Sequence, residues 1–219
     1  MIEKIVLIGG GGHCKSIIDS IICLNKYEIV GIVDSKENIG KNINSIPIIG
    51  EDKLLTDLYA KGIKSAFITV GSIGYCHIRE RLYNFAKNIG FTIPNIIDST
   101  SILAHSVTLG EGTFIGKGCI VNSDTTLGDM VIINSGAIIE HDCRIGNFVH
   151  IAPGVTISGN VKIGQYTHIG VGSTIIQGIT IGNQTLVGAS SLVLKNIDSG
   201  LKVFGIPCKE VGKWQNTFL

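Results

Sequence analysis

The sequence predicts two architectures in succession: a small α/β domain, then a parallel β-helix built from hexapeptides. Three observations carry this prediction. Over roughly the first hundred positions, strand-like apolar runs alternate with helix-spaced segments. Near residue 97 the apolar period changes to six and then holds without an insertion. Between the first strand and the first helix stands a run of glycines, Gly9 to Gly12.

In chain order, KIVLIGG (4–10) is an apolar run ending in glycines and reads as a strand. HCKSIIDSIICL (13–24) has helical apolar spacing, and YEIVGIVDS (27–35) is a second strand that ends in Asp34. KLLTDLYAKG (53–62) reads as a helix and SAFITVGS (65–72) as a third strand. YCHIRERLYNFAKNIG (75–90) is a helix with a glycine stop. Strand, helix, strand in this order implies a small parallel sheet of Rossmann-like type. The expected division is 1–96 for this domain, 97–198 for the β-helix and 199–219 for a C-terminal tail.

From Leu109 the key positions recur every six residues through Ile115, Val121, Leu127 and onward to Val187 and Val193. All fifteen are Ile, Leu or Val, with Ile97 and Leu103 in frame upstream. The next residue is Gly at eight of the fifteen, and four residues after each key position stands a small or β-branched side chain. A period of six fits neither an α-helix nor a coiled coil; it is the signature of a hexapeptide β-helix. The key residue points inward, the small residue fills the remaining interior, and the glycine after the key is expected to take a corner conformation with positive φ. Three hexads make a coil, and coils stack at about 4.8 Å.

Composition excludes several function classes. With 18 basic and 17 acidic residues the net charge is +1, and no basic stripe points to nucleic acid or an anionic membrane. No apolar run approaches the roughly 18 residues of a membrane span, and the N-terminus lacks the basic region and cleavage site of a signal peptide. The six cysteines form no CxxC pair, which predicts free thiols in a reducing cytoplasm.

The GGGGH turn (9–13) joins a strand to a helix, so its amides and the helix N-terminus form an anion site. Asp34, at the end of the second strand, is placed to accept from a ribose hydroxyl. Gly71 and Ser72, at the end of the third strand, line the same crevice. A dinucleotide site is the rival, but the GxGxxG frame fails at Cys14 and Lys15, and about 95 residues suit one mononucleotide half. A structural tight turn is the plainer alternative.

IIEHDC (138–143) places His141 two residues after the key Ile139, where it projects outward at a corner. Eighteen residues on, one coil away, lies Gly159, so the imidazole stands against a notch. His141 is either a general base, with a carboxylate on its second ring nitrogen supplied by Asp142 or Glu140, or a solvated corner residue. The backbone N–H near Gly159 is an oxyanion donor for the first reading. Cys143 falls in the inward column and is inert packing. His150 lies half a coil away and faces away from His141 within one subunit, so the two converge only across an interface. His168 stacks under His150, and His105 is structural. Histidine spacings of nine and eighteen do not suit a metal site, and no metal is expected.

The hexad array, together with IGGGGH (8–13), IEHDC (139–143) and GIPCK (205–209), resembles the PglD/NeuD family of sugar acetyltransferases over essentially the whole chain. The resemblance implies a left-handed parallel β-helix, against the usual right-handed crossover. It also implies a homotrimer with active sites between subunits, acetyl-CoA as co-substrate and a nucleotide sugar as acceptor. By resemblance Asp142 orients His141, His150, Gly159, Val171 and Ala189 contact acetyl-CoA, and Gly11, Gly12, His13, Asp34 and Ser35 bind the nucleotide sugar. The implied reaction is N-acetylation of a nucleotide-linked 4-amino-4,6-dideoxy sugar for a surface or glycoprotein glycan. Sialic acid O-acetylation is the near alternative, and a non-catalytic nucleotide-sugar scaffold is the alternative from another class.

Overall fold

The computed structural model describes residues 2–72 and 77–214. Two compact units are present, residues 2–72 with 77–99, and residues 100–214. Tyr75 and Cys76, which the sequence places at the start of the third helix, lie outside the described residues, as do residues 215–219 of the tail.

The first unit is a five-stranded sheet with helices. β1 (Glu3–Ile8) leads through α1 (Gly12–Leu24) into β2 (Tyr27–Val33). A short hairpin of β3 (Asn42–Ile43) and β4 (Ile46–Gly50) follows, then α2 (Leu54–Ala60), β5 (Ser65–Ile68) and α3 (His77–Ile89). The strand order is β3-β4-β2-β1-β5, with β1 parallel to both β2 and β5. Ile5 to Ile8 are fully buried, because a central parallel strand is covered on both faces. Cys14, Ile17, Ile18 and Ile21 form the buried stripe of α1, which ends at Asn25 in the left-handed conformation (φ 50°). The β3–β4 hairpin was not expected; its turn residues Asn44 and Ser45 both have positive φ, the geometry a two-residue hairpin requires. The chain leaves β1 toward β2 and later returns to its other side as β5. The loops after β1 and β5 therefore flank a topological switch point.

The second unit is the left-handed hexapeptide β-helix, a three-faced prism of two-residue strands. One face, here the histidine face, carries Phe114–Ile115, Ile132–Ile133, His150–Ile151, His168–Ile169 and Leu186–Val187 in parallel register. The next, the aliphatic face, carries Ile102–Leu103, Ile120–Val121, Ile138–Ile139, Thr156–Ile157, Thr174–Ile175 and Leu192–Val193. The third, the basic face, carries Thr108–Leu109, Thr126–Leu127, Arg144–Ile145, Lys162–Ile163 and Thr180–Ile181. The second residue of each pair is the key position, and the keys from Ile115 to Val193 are all buried. The small inward residues are hydrogen-bonded as well as packed. Thr113, Thr125, Thr167 and Ser173 each donate to the carbonyl fifteen residues on, at 2.7–3.1 Å. A C-terminal antiparallel hairpin, Leu201–Gly205 with Cys208–Lys213, extends the histidine face beyond Leu186–Val187.

The corner geometry corrects the expected role of the repeated glycine. Positive φ falls three residues after the key, at Gly112, Gly118, Asp124, Asp142, Gly154 and Asn160 among others, and not one residue after it. The glycine directly after the key is required by proximity. A Cβ on Gly146 would lie 2.7 Å from the backbone nitrogen of Gln165 in the next coil, and one on Gly164 would lie 2.5 Å from that of Asn183. Coils stacked at strand spacing leave no room there for a side chain. No described helix is long and apolar enough to cross a membrane.

Candidate active site

In the first unit the loop after β1 is shaped by Gly9 and Gly10. A Cβ on Gly9 would collide with Val70, and Gly9 has φ 105°; one on Gly10 would lie 2.6 Å from Asp34 Oδ2. Gly10 N–H donates to Asp34 Oδ2 and Ser35 N–H to Oδ1, each at 2.6 Å. Asp34 thus clamps the loop, with its remaining lone pairs left for a ligand. Gly11 and Gly12 have open space where a Cβ would stand, at the exposed start of α1. His13 lies against Gly71, whose added Cβ would be 3.1 Å from His13 Cβ. Burial, reinforced by the Arg79 guanidinium, pushes the His13 pKa down to about 4, so the ring is neutral. Burial likewise pushes the Cys14 thiol up to about 11.

A cleft of about 450 Å³ opens at the carboxyl ends of β1, β2 and β5, lined by Gly9, Asp34, Ser35 and Val70. Glu51, Asp52, Lys53 and Arg81 also line it, and sequence reasoning missed all four. Two ion pairs lie among them, Lys53–Glu51 at 2.9 Å and Arg81–Asp52 at 3.4 Å. The signal for the first three was the charged segment GEDK (50–53), which follows the unexpected hairpin; Arg81 lies on the third helix.

In the prism, His141 stands exposed on the corner between the aliphatic and basic faces. Its Nδ1 is 2.8 Å from Asp142 Oδ2, so Asp142 rather than Glu140 is the carboxylate bonded to the ring. With Nδ1–H donating to a carboxylate, the lone pair lies on Nε2. The hydrogen bond to Asp142 raises the His141 pKa above its ordinary 6.5, and the charges of Asp142 and Glu140 add to it. The ring covers Gly159, where a Cβ would meet His141 Cε1 at 2.7 Å and Nε2 at 2.8 Å. Asn160 N–H donates to His141 O at 2.8 Å, which ties the two coils together at this point. Cys143 points inward, its Sγ 3.3 Å from Ser158 O, and burial raises its pKa; a buried neutral thiol is no nucleophile.

His150 and His168 lie on the histidine face, a different face from His141. Val171, 53% exposed, and Ala189 follow Ile169 and Val187 on the corner between the histidine and aliphatic faces. Of the four predicted acetyl-CoA positions, Gly159 thus lies beside His141 on one edge of the aliphatic face, Val171 and Ala189 lie on its other edge, and His150 lies on the histidine face. No group of three or more His, Cys, Asp or Glu able to hold a metal occurs among the described residues. His105 is exposed on the same corner as His141, two coils earlier.

Residues 4–85 match the family model of the PglD N-terminal domain, and residues 124–159 that of the bacterial transferase hexapeptide (six repeats). The GDP-perosamine N-acetyltransferase PerB of Caulobacter crescentus, solved in complex with CoA and GDP-perosamine, is 34% identical; the match covers 97% of this chain and 99% of that one, with a TM-score of 0.90. This chain belongs to the PglD/NeuD family. The acetyltransferase domain of PglB from Neisseria gonorrhoeae, solved with acetyl coenzyme A, is 31% identical over 96% of this chain and 100% of that one, with a TM-score of 0.89. WeeI from Acinetobacter baumannii shares the fold at 22% identity, covering 95% of this chain and 100% of that one, with a TM-score of 0.84. A sequence comparison with curated proteins finds no match. As a PglD/NeuD chain, the protein pairs the glycine-loop unit with the hexapeptide prism over its whole described length.

Proposed function

We propose that the protein transfers the acetyl group of acetyl-CoA to the 4-amino group of a nucleotide-linked 4-amino-4,6-dideoxy sugar. One observation carries this reading. A chain matched over 97% of this one, by 34% identity, was solved with CoA and GDP-perosamine and is an N-acetyltransferase. The site chemistry supports it. Neutral His141 offers the Nε2 lone pair to the sugar amine as its nitrogen attacks the thioester carbonyl carbon. The C–N bond forms, the amine proton passes to Nε2, and negative charge gathers on the carbonyl oxygen, where the Gly159 N–H is a candidate donor. The tetrahedral centre then collapses with cleavage of the C–S bond, and the leaving sulfur takes the proton from Nε2, so that CoA departs as its thiol and His141 returns to the neutral form. Asp142 holds the ring orientation and stabilises the imidazolium while it carries the proton.

Asp34, Ser35, Gly11, Gly12, His13, Gly71 and Ser72 of the first unit take the nucleotide. His150, Val171 and Ala189 contact acetyl-CoA. The split of the prism positions between two edges of one face supports a homotrimer in which one subunit supplies His141 and Gly159 and its neighbour supplies the rest. The aliphatic face between those edges supports the same assembly: Ile102 is 65% exposed, and Ile120, Ile138 and Leu192 are half-buried. Free thiols and a CoA thioester suit a cytoplasmic enzyme.

The test is CoA release from acetyl-CoA in the presence of UDP-, dTDP- and GDP-linked 4-amino sugars, and of free sialic acid. Release with one nucleotide amino sugar is the expected result, and the His141→Ala trimer should lose about 10²–10⁴-fold in turnover. Release with sialic acid alone would replace the reading with O-acetylation. Binding without release in any mixture would replace it with a scaffold role.

A further inference from the structure

The basic face carries a charge pair that the transfer step does not use. Its outward strand positions are Thr108, Thr126, Arg144, Lys162 and Thr180, so the two cations stand on successive coils and the rest of the ladder is neutral. Arg144 and Lys162 are exposed and are register partners, which sets like charges side by side at strand spacing. Neither makes an ion pair or a side-chain hydrogen bond among the described residues. Like charges placed opposite each other on a sheet are destabilising, and no described residue offsets that cost here.

A cleft of about 530 Å³ lies over the pair. Thr126 and Thr180 line it along the ladder, and Asn147 and Asn183 line it at one corner. Each asparagine Oδ1 accepts from a backbone N–H, of Asp129 and of Gln165, so the NH₂ end of each amide is left to donate. The one acidic residue of the lining, Asp124, stands in the corner column of Asp142 one coil earlier, so the cleft reaches the corner that carries His141. Its carboxylate opposes an anion on the Thr126 side, which leaves the stretch from Arg144 to Lys162 as the seat.

The pair is too small for a polyanion. Nucleic acids and anionic membranes are held by many cations spread over a surface, whereas two in register match one phosphate group. A guanidinium presents a planar fork to phosphate oxygens, and an ammonium adds a point charge. Both proposed reactants carry phosphates, and reach separates them. In the acceptor, one pyranose ring lies between the attacking amine and the phosphate on the anomeric carbon. Arg144 opens the strand directly after the His141–Asp142 corner, so an amine at His141 Nε2 brings that phosphate within reach of it. In acetyl-CoA the whole pantetheine arm lies between the thioester and the diphosphate. A CoA phosphate at Arg144 would carry the thioester several coils away from His141.

We infer that Arg144 and Lys162 bind the sugar-side phosphate of the acceptor and so hold its amine at His141. The inference rests on the acetyl-transfer reading. The repulsion that the free protein carries on this face is relieved when the phosphate binds.

Kinetics of the full chain test it. Both residues are exposed, and neutralising either one removes a repulsion, so Arg144→Gln and Lys162→Gln should melt no lower than the wild type. With the nucleotide amino sugar that supports CoA release, Arg144→Gln should raise the acceptor KM about thirtyfold and Lys162→Gln about tenfold, while the KM for acetyl-CoA stays within about twofold. Arg144→Lys, which keeps the charge without the fork, should recover part of the loss. An acceptor KM unchanged in both variants overturns the inference. So does a rise confined to the KM for acetyl-CoA, which would assign the pair to the phosphates of CoA. Failure of the transfer reading looks different: the wild type would release no CoA with any UDP-, dTDP- or GDP-linked 4-amino sugar, and the phosphate subsite would fall with it.

Discussion

At the scale of single residues, the His141–Asp142 pair makes a signed prediction about pH. A base must be neutral to accept a proton, so kcat/KM falls as pH drops through the His141 pKa. The Asp142 hydrogen bond favours the charged ring and holds that pKa above 6.5. Asp142→Asn removes the carboxylate, so the acid limb of the pH–rate profile should move to lower pH while the plateau rate falls. An unmoved limb would mean that another group sets it. Gly159 gives a second test, since an added methyl group would meet the imidazole and not the backbone. Gly159→Ala should keep the fold and its melting temperature, and lose about 10²-fold in kcat through misplacement of the ring. The position of His141 over Gly159 was legible in the sequence, because residues eighteen apart in an uninterrupted hexad array must stack. The choice between Asp142 and Glu140 was not legible from spacing, since both flank the histidine. It is decided by the corner, where Asp142 takes the left-handed conformation (φ 60°) and turns its carboxylate to Nδ1.

At the scale of elements, the two kinds of glycine in the hexads separate experimentally. Gly146→Ala drives a Cβ to 2.7 Å from the backbone of the neighbouring coil, whereas Gly154→Ala, at φ 67°, meets only open space. Backbone cannot move aside as a side chain can, so Gly146→Ala should cost about 3 kcal/mol and Gly154→Ala about 1 kcal/mol. Denaturant titration of the two variants measures the difference, and equal costs would refute the proximity argument. The prism was readable because each hexad repeats the same local problem, and fifteen consecutive apolar keys leave one solution. The error about positive φ arose because sequence shows that a glycine recurs but not which of its two properties, conformational freedom or lack of volume, is in use. The β3–β4 hairpin escaped notice for another reason. Its first strand is two residues long, and its Asn-Ser turn lacks the glycine that usually marks such turns. With it went Glu51, Asp52 and Lys53, so the cleft was only half foreseen.

At the scale of the whole molecule, the proposed trimer binds stability to catalysis. Ile138→Lys places a charge on the aliphatic face two residues before the Glu140–His141 corner, pointing away from the prism interior. The prism should fold, but sedimentation should show monomers and turnover should be lost. Mixing His141→Ala with Ala189→Trp subunits tests the shared site more sharply. Neither variant alone should turn over, and exchanged subunits should regain activity, because some interfaces then pair an intact His141 with an intact Ala189. Full activity in the Ile138→Lys monomer would place the whole site within one chain.

The C-terminal hairpin has a consequence beyond closing the histidine face. A stack of parallel rungs is a template for its own extension: its last rung offers unpaired N–H and C=O groups at strand spacing, as the growing end of a fibril does. Leu201–Gly205 occupies the groups offered by Leu186–Val187, and Cys208–Lys213 then turns back antiparallel, so the next layer no longer repeats the hexad register. On this face the hairpin thus replaces the repeating parallel edge with an antiparallel one, which opposes the end-to-end addition of another stack there.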